Sequence, residues 1–124
     1  MAVIRTYRDL IAWQKGMKLS KAIYIATQSM PREEQFGLTS QMRRAAVSIP
    51  SNIAEGYALE SKKAYLKHLR ISRGSLAELQ TQWELVTVEL ELIPFDRAIL
   101  ALLEEEDRIL QGLIRAVRAS RSKR

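Results

Sequence analysis

Residues 43 to 57, RRAAVSIPSNIAEGY, combine a helical pattern of small apolar residues with a central proline. The stretch also places four polar side chains along one helical face: Ser48, Ser51, Asn52 and Glu55. Because Pro50 has no N–H and its ring crowds the preceding turn, this helix is predicted to bend there. The hydroxyls of Ser48 and Ser51 are placed to compensate for the lost bond. The polar face could hold the helix against a neighbour, line a subunit interface or carry out catalysis.

The apolar pattern is helical on both sides of this stretch, and no β-hairpin signal is present. Pro31 and Pro94 separate helical segments, and Ser61 is a predicted N-cap. The residues predicted to form the apolar stripes are Leu10, Trp13, Met17 and Tyr24, flanked by Ile11, Leu19, Ile23 and Ala26; Met42, Ala45, Ala46, Ile49, Ile53 and Ala54; Leu66, Leu69, Leu76, Leu79, Trp83, Val86 and Leu90; and Leu100, Leu103, Ile109, Leu110, Leu113, Ile114 and Val117. Four helices with short connections predict an all-α fold, an antiparallel up-down-up-down four-helix bundle with a kinked second helix.

The length of 124 residues predicts one domain over residues 1–124, with residues 118–124 as a flexible basic tail. The chain has no cysteine, which excludes disulfides and thiolate metal sites. It has no apolar run long enough for a membrane span, and its first residues do not resemble a signal peptide. A soluble, cytoplasmic protein that does not contact a membrane is expected.

The charge balance is basic, with 20 lysines and arginines against 14 acidic residues and a net charge of +6. In an antiparallel bundle the basic start of the third helix, the basic end of the fourth and the start of the chain share one end, here called the basic pole. Such a surface attracts polyanions. The residues predicted to bind nucleic acid are Lys62, Lys63, Lys67, Arg70, Arg115, Arg118 and Arg121.

The lysines at the start of the third helix are expected to destabilise it unless an anion lies nearby. Lys62 and Lys63 lie in the first turn, where a cation opposes the helix dipole by roughly 0.3–1 kcal/mol. Lys63, Lys67 and Arg70 form one stripe at i, i+4 and i+7. An anionic ligand would offset the unfavourable placement. Because few aromatic residues are available for stacking, contacts to the nucleic-acid backbone are expected rather than recognition of bases.

No pattern in the chain indicates catalysis. His68 is the single histidine and is predicted to lie on the surface among lysines and arginines. No phosphate loop, nucleophile elbow or paired metal-binding motif is present, so no catalytic residue, metal or cofactor is predicted. Glu55 and Glu78 could form an acid/base pair across the second and third helices. A structural ion pair with Arg43 or Arg44 is the favoured alternative.

Glycine in the middle of the third helix indicates close helix packing. Gly74 costs about 1 kcal/mol relative to alanine in a helix, which suggests that its small size is needed. Together with Ser75 and Ala77 it would let the second helix approach. The polar face would then form hydrogen bonds across the interface, including bonds to Glu78 and Gln82.

Two long stretches, RRAAVSIPSNIAEG and YLKHLRISRGSLAELQTQ, resemble the paired signature of the 23S rRNA intervening-sequence proteins. The opening YRDLIAWQKGM resembles that family's usual start. The resemblance implies a small bacterial four-helix bundle protein that assembles as a homopentamer. A similar protein is the accessory factor of the reverse transcriptase of diversity-generating retroelements. The positions that match the signature are Arg43, Arg44, Ser48, Pro50, Ser51, Asn52, Glu55, Gly56, Gly74, Ser75, Glu78 and Leu79.

Three functions follow from these patterns. The leading hypothesis is a non-enzymatic nucleic-acid-binding accessory protein, with RNA favoured, that acts as a ring-shaped homo-oligomer. The alternative is an adaptor that docks an acidic protein partner such as a reverse transcriptase. An enzyme that uses Glu55 and Glu78 is the third and weakest hypothesis, since no substrate is indicated.

Overall fold

The computed structural model describes residues 3–121 and contains four long helices. They are α1 (Ile11–Thr27), α2 (Leu38–Ala58), α3 (Lys62–Glu84) and α4 (Arg97–Ala119). Short 3₁₀ turns at Tyr7–Asp9 and Arg32–Glu34 precede α1 and α2, and a π-helical turn at Leu85–Glu89 continues α3. No strand occurs within residues 3–121. The all-α four-helix prediction is confirmed.

The predicted tail falls partly within α4, which runs through Ala119. Residues 122–124 of that prediction lie outside the described residues. None of the helices within the described range combines the length and the apolar character needed to cross a membrane.

Each helix packs against the next one in the chain, and α4 packs against α1. The core contains fully buried aliphatic side chains from all four helices, including Leu19, Ile49, Leu76 and Leu103. Along α2, Ser48 contacts Ser75 of α3, and Asn52, one turn later, contacts the earlier residue His68. The two helices are therefore paired in opposite chain directions. The up-down-up-down order of the whole bundle and the bend at Pro50 stay predictions.

The buried face of α1 differs from the predicted stripe. Met17 and Tyr24 are exposed, and the buried positions are Ala12, Gly16, Leu19, Ile23 and Thr27. The reason is close packing, because a side chain on Gly16 would begin only 3.3 Å from the ring of Pro50 in α2. Gly16 therefore lies where α1 approaches Pro50, and Met17 and Tyr24 lie outside this contact, whereas Leu19 and Ile23 are buried in the core.

The end of α3 also departs from a regular helical stripe. The π-helical turn adds a residue, so the amide of Leu90 bonds to the carbonyl of Leu85 at 2.8 Å. Val86 and Thr87 are buried, whereas Leu90 is about half exposed. The extra residue places Leu90 away from the core face, which regular helical spacing did not predict.

Side-chain hydrogen bonds cap the N-terminal ends of α3 and α4. The Ser61 hydroxyl accepts the amide of Ala64 at 3.2 Å, which confirms the predicted N-cap of α3. The Asp96 carboxylate accepts the amide of Ala98 and caps α4. The two residues with positive φ within the described range are Glu60, after α2, and Glu91, after the π-helical turn, with φ of 53° and 49°. Both occupy positions where glycine is usual.

Pro50 lies inside α2, which continues on both sides of it. Its missing N–H leaves the carbonyl of Ala46, four residues earlier, without its helical donor. The hydroxyl of Ser20 in α1 donates to that carbonyl at 2.9 Å. The prediction that Ser48 and Ser51 compensate is wrong, since Ser48 bonds to α3 and Ser51 is exposed.

Replacing Ser20 with alanine is expected to lower the free energy of unfolding by about 1–2 kcal/mol, because a buried carbonyl loses its donor. Urea denaturation of the variant and the wild type measures the difference. Ser51→Ala is the matched control and is expected to stay within about 0.5 kcal/mol of the wild type. An equal loss in both variants would show that the bond from α1 has no special role.

Candidate nucleic-acid interface

Three parts of the chain meet at the basic pole. The Lys62 ammonium, at the start of α3, donates to the carbonyl of Ser120, just after α4, at 2.6 Å. Arg5 and Tyr7, before α1, line a cavity together with Tyr57 and Glu60 at the end of α2. The start of the chain, the α2–α3 connection and the end of α4 therefore lie together, as the charge pattern predicted.

The stripe of Lys63, Lys67 and Arg70 is exposed along α3. It lies there because the opposite face of α3 buries Leu69, Ser72 and Leu76. None of the three stripe residues forms an ion pair with a carboxylate of residues 3–121. The stripe therefore presents three uncompensated positive charges to solvent.

An open groove of about 540 Å³ runs between α3 and α4. Arg70 and Arg73 line it from α3, and Arg118 lines it from α4. Its wall is open because Gly74 is exposed, and no atom of residues 3–121 lies within 4 Å of the position that a Cβ would occupy. The groove joins the α3 stripe to the basic end of α4.

Arg73 was absent from the predicted set of binding residues, although it lies in the basic half of α3. The Arg73 Nε donates to the Asp107 carboxylate at 3.3 Å, and Gln111 donates to the same carboxylate at 2.7 Å. Asp107 thus places the guanidinium at the edge of the groove. Only the packing of α3 on α4 brings these residues together, so neither helix by itself indicates the pair.

The remaining residues predicted to bind nucleic acid differ in how accessible they are to a ligand. Arg115, Arg118 and Arg121 are exposed. Lys62 is half-buried, and its ammonium bonds to the Ser120 carbonyl. Lys62 therefore joins the start of α3 to the end of α4 and is less available to a ligand than its neighbours.

Several residues of the two signature stretches meet at the interface between α2 and α3. The hydroxyls of Ser48 and Ser75 are 2.8 Å apart, and the Asn52 amide donates to the Ser48 carbonyl at 2.9 Å. The Asn52 side-chain oxygen accepts from Nδ1 of His68 at 2.9 Å. The Ser72 hydroxyl donates to the Ile49 carbonyl. Ser48 and Asn52 of the α2 polar face thus form hydrogen bonds to α3.

His68 is not the surface residue that was predicted. Its side chain is 15% exposed, and its Nε2 lies 3.7 Å from the Glu55 carboxylate. It approaches α2 closely because Gly56 has no side chain, and a Cβ there would meet the His68 Cβ at 2.7 Å. Gly56, not Gly74, is the glycine that this close helix contact requires.

The predicted partners of the signature carboxylates are also different. Arg43 donates to the Thr27 hydroxyl at 2.9 Å and to the Tyr24 carbonyl, and its guanidinium lies over the Tyr24 ring. Arg43 therefore anchors α2 to α1 and does not pair with Glu55 or Glu78. Arg44 is exposed.

Glu55 and Glu78 do not form an acid/base pair. The Glu55 side chain is 62% exposed beside His68, and Glu78 accepts from Gln82, one turn later in α3, at 3.4 Å. The predicted bonds from the α2 polar face to Glu78 and Gln82 are absent among the described contacts. Residues 3–121 contain no group of three or more His, Asp or Glu side chains suited to holding a metal.

Comparison with protein families matches residues 8–114 to the family described as 23S rRNA-intervening sequence protein. The match spans most of the chain. This chain belongs to the 23S rRNA-intervening sequence protein family. Comparison with curated proteins found no match. In this 23S rRNA-intervening sequence protein, both signature stretches therefore have a structural role at the α2–α3 interface, while the basic stripe and groove lie on the outer surface of the same α3.

Proposed function

We propose that this protein binds nucleic acid without catalysing a reaction, with RNA as the first candidate. The observation that carries the proposal is the continuity of the α3 stripe with the arginine-lined groove between α3 and α4. Guanidinium groups form paired hydrogen bonds with phosphate oxygens, and lysines add charge. A phosphate backbone that follows the stripe into the groove would meet Lys63, Lys67, Arg70, Arg73 and Arg118 in sequence.

The proposal includes assembly into a ring-shaped homo-oligomer, a pentamer, in the bacterial cytoplasm. Large apolar side chains on several elements support a subunit interface, since Phe36 is 90% exposed and Ile11 is 60% exposed. A ring would bring several basic poles to one face. When several linked subunits bind the same nucleic acid, the overall affinity rises even though each subunit makes the same contacts as before.

An adaptor role is the second candidate, because one groove combines cations with exposed apolar residues. It measures about 560 Å³, and its lining includes Tyr24, Phe36, Arg44 and Val47. An acidic protein segment with apolar side chains would fit this combination. Such a partner would stay bound after nuclease treatment, whereas one held through RNA would be released.

Reversing the stripe with Lys63→Glu, Lys67→Glu and Arg70→Glu is expected to abolish binding of a structured RNA at physiological ionic strength. Each lost phosphate contact removes roughly 0.7–0.9 from the slope of log affinity against log salt. Salt-titrated competition against duplex DNA, single-stranded DNA and heparin measures the RNA affinity at physiological ionic strength and its dependence on salt. Sedimentation of the same samples reports assembly.

The matched control reverses three exposed cations away from the pole: Lys18→Glu, Lys21→Glu and Arg32→Glu. Both triple variants change the net charge by the same amount, so a general field effect would weaken both equally. Selective loss in the stripe variant supports a located site. Equal loss in both, or unaltered binding in the stripe variant, would refute it.

A further inference from the structure

A second concave feature lies at the basic pole, beside the stripe. It is a cavity of about 110 Å³ between the α2–α3 connection and the end of α4. Tyr57, Glu60, Lys62 and Tyr65 are among the residues that line it. A cavity of about 150 Å³ holds benzene, so this one admits the edge of a single ring and excludes a base pair.

Two aromatic rings form part of the cavity wall. The ring centroids of Tyr57 and Tyr65 are 5.8 Å apart, and the rings are tilted by 43°. Tyr65 is held against α2 because Gly56 has no side chain, and a Cβ there would lie 3.3 Å from the Tyr65 ring. Aromatic side chains next to a basic surface are what proteins use to bind unpaired bases.

A carboxylate completes the cavity. Glu60 is one of the residues that line the cavity. Its backbone has a positive φ of 53°, a conformation that an L-residue with a long side chain rarely adopts. Glycine would adopt that conformation without strain, so the backbone conformation does not explain why this position holds a glutamate. A carboxylate accepts two N–H donors, and the six-membered ring of guanine presents an imino and an amino N–H on one edge.

We propose that this cavity binds one unpaired guanine of an RNA whose backbone follows the α3 stripe. The ring edge enters beside Tyr57 and Tyr65, and the Glu60 carboxylate accepts from the imino and amino groups. The adjoining phosphates meet the stripe, whose first residue, Lys63, follows Lys62 of the cavity wall directly. This inference rests on the proposed nucleic-acid function and adds recognition of a base to it.

The test compares two RNA hairpins that differ at one position, one with a single bulged guanine and one fully paired. The wild type is expected to bind the bulged hairpin about tenfold more tightly. Bulged adenine and bulged uracil are expected to bind like the paired hairpin. Tyr57→Leu and Glu60→Gln are expected to remove the preference for guanine and to leave the binding of the paired hairpin close to that of the wild type.

Glu60→Gly separates ligand binding from a structural role. It relieves the positive φ, so the melting temperature is expected to rise while the preference for guanine is lost. Glu91→Gly is the matched control, because Glu91 has the same kind of φ at the end of the π-helical turn. It is expected to raise the melting temperature and to keep the preference.

The results distinguish this inference from the function on which it rests. If the wild type binds both hairpins equally and the stripe reversal abolishes binding, the cavity has no role and the proposed function stands. If the wild type binds neither hairpin at physiological ionic strength, both fail. A preference that survives in Glu60→Gln and Tyr57→Leu would also overturn the base site.

Discussion

Between pH 5 and pH 8, the stability advantage of Glu106→Gln over the wild type is expected to grow by roughly 2–4 kcal/mol. Glu106 of α4 is 0% exposed, and neither carboxylate oxygen has a hydrogen-bond partner among residues 3–121. Gly16 of α1 makes the space for it, since a Cβ there would lie 3.0 Å from Oε2. Burial, together with a smaller contribution from the neighbouring Glu105 carboxylate, raises the pKa of Glu106 to about 8, and Lys15 opposes the shift.

The direction of the pH effect follows from proton binding. The unfolded chain releases this proton near pH 4.5, whereas the folded protein keeps it until about pH 8. Between these values unfolding releases a proton, so stability falls by up to about 1.4 kcal/mol per pH unit as pH rises. The stability that depends on the neutral carboxyl is complete below pH 4.5 and lost above about pH 8. Glutamine does not titrate, so its stability curve lacks this slope.

Urea denaturation at intervals from pH 5 to pH 9 measures the effect, and the difference between the two curves isolates Glu106 from all other titrating groups. Glu104→Gln is the matched control, because Glu104 is an exposed residue on the same helix. Its curve is expected to follow the wild type within about 0.5 kcal/mol. Parallel curves for Glu106→Gln and the wild type would mean that Glu106 is solvated or paired in solution.

Gly56→Ala is expected to lower the free energy of unfolding by about 1–3 kcal/mol, the usual cost of overpacking. The new Cβ would meet the His68 Cβ at 2.7 Å and the Tyr65 Cα at 3.4 Å. Both atoms lie at or next to the α3 backbone, so no flexible side-chain end can move aside. Helices α2 and α3 must separate instead, which strains the hydrogen bond between Asn52 and His68.

Gly74→Ala is the matched control for this prediction and has the opposite sign. Gly74 is exposed in the middle of α3, and a Cβ there would meet nothing within 4 Å in the part of the chain that the structure describes. Alanine is better than glycine in a helix by about 0.8–1.0 kcal/mol, so this variant is expected to be more stable than the wild type. Thermal and urea denaturation of both variants provide the test. Stabilisation by both substitutions would show that α2 and α3 tolerate a wider spacing.

Features that depend on one helix at a time were predictable from the sequence. The N-cap at Ser61 is a contact between residues three apart in the chain, and the sequence contains both partners. The exposure of Lys63, Lys67 and Arg70 follows from helical spacing, because the opposite face of α3 carries its apolar residues. The resemblance to the family, which rested partly on residues 43–57, was confirmed by a match over residues 8–114.

Features that depend on which helix covers a residue were not predictable in this way. Glu104, Glu105, Glu106 and Asp107 are consecutive acidic residues in the sequence, yet Glu106 is buried against Gly16, and Asp107 holds Arg73 at the groove. Likewise, Gly74 and Gly56 look equivalent as glycines within helices, but only Gly56 faces a neighbouring helix closely.

The sequence by itself thus determined the four helices, the N-cap of α3 and the positive stripe, because short-range spacing and local hydrogen bonds specify these. Only the tertiary structure decided that the Ser20 hydroxyl donates to the carbonyl that Pro50 leaves without a donor, that Glu106 lies in the core with no hydrogen-bond partner among the described residues, and that Tyr57, Tyr65 and Glu60 line one cavity. The physical reason is that helix rotation and spacing are set by packing of whole helix faces. A contact between residues far apart in the chain exists only once that packing is established.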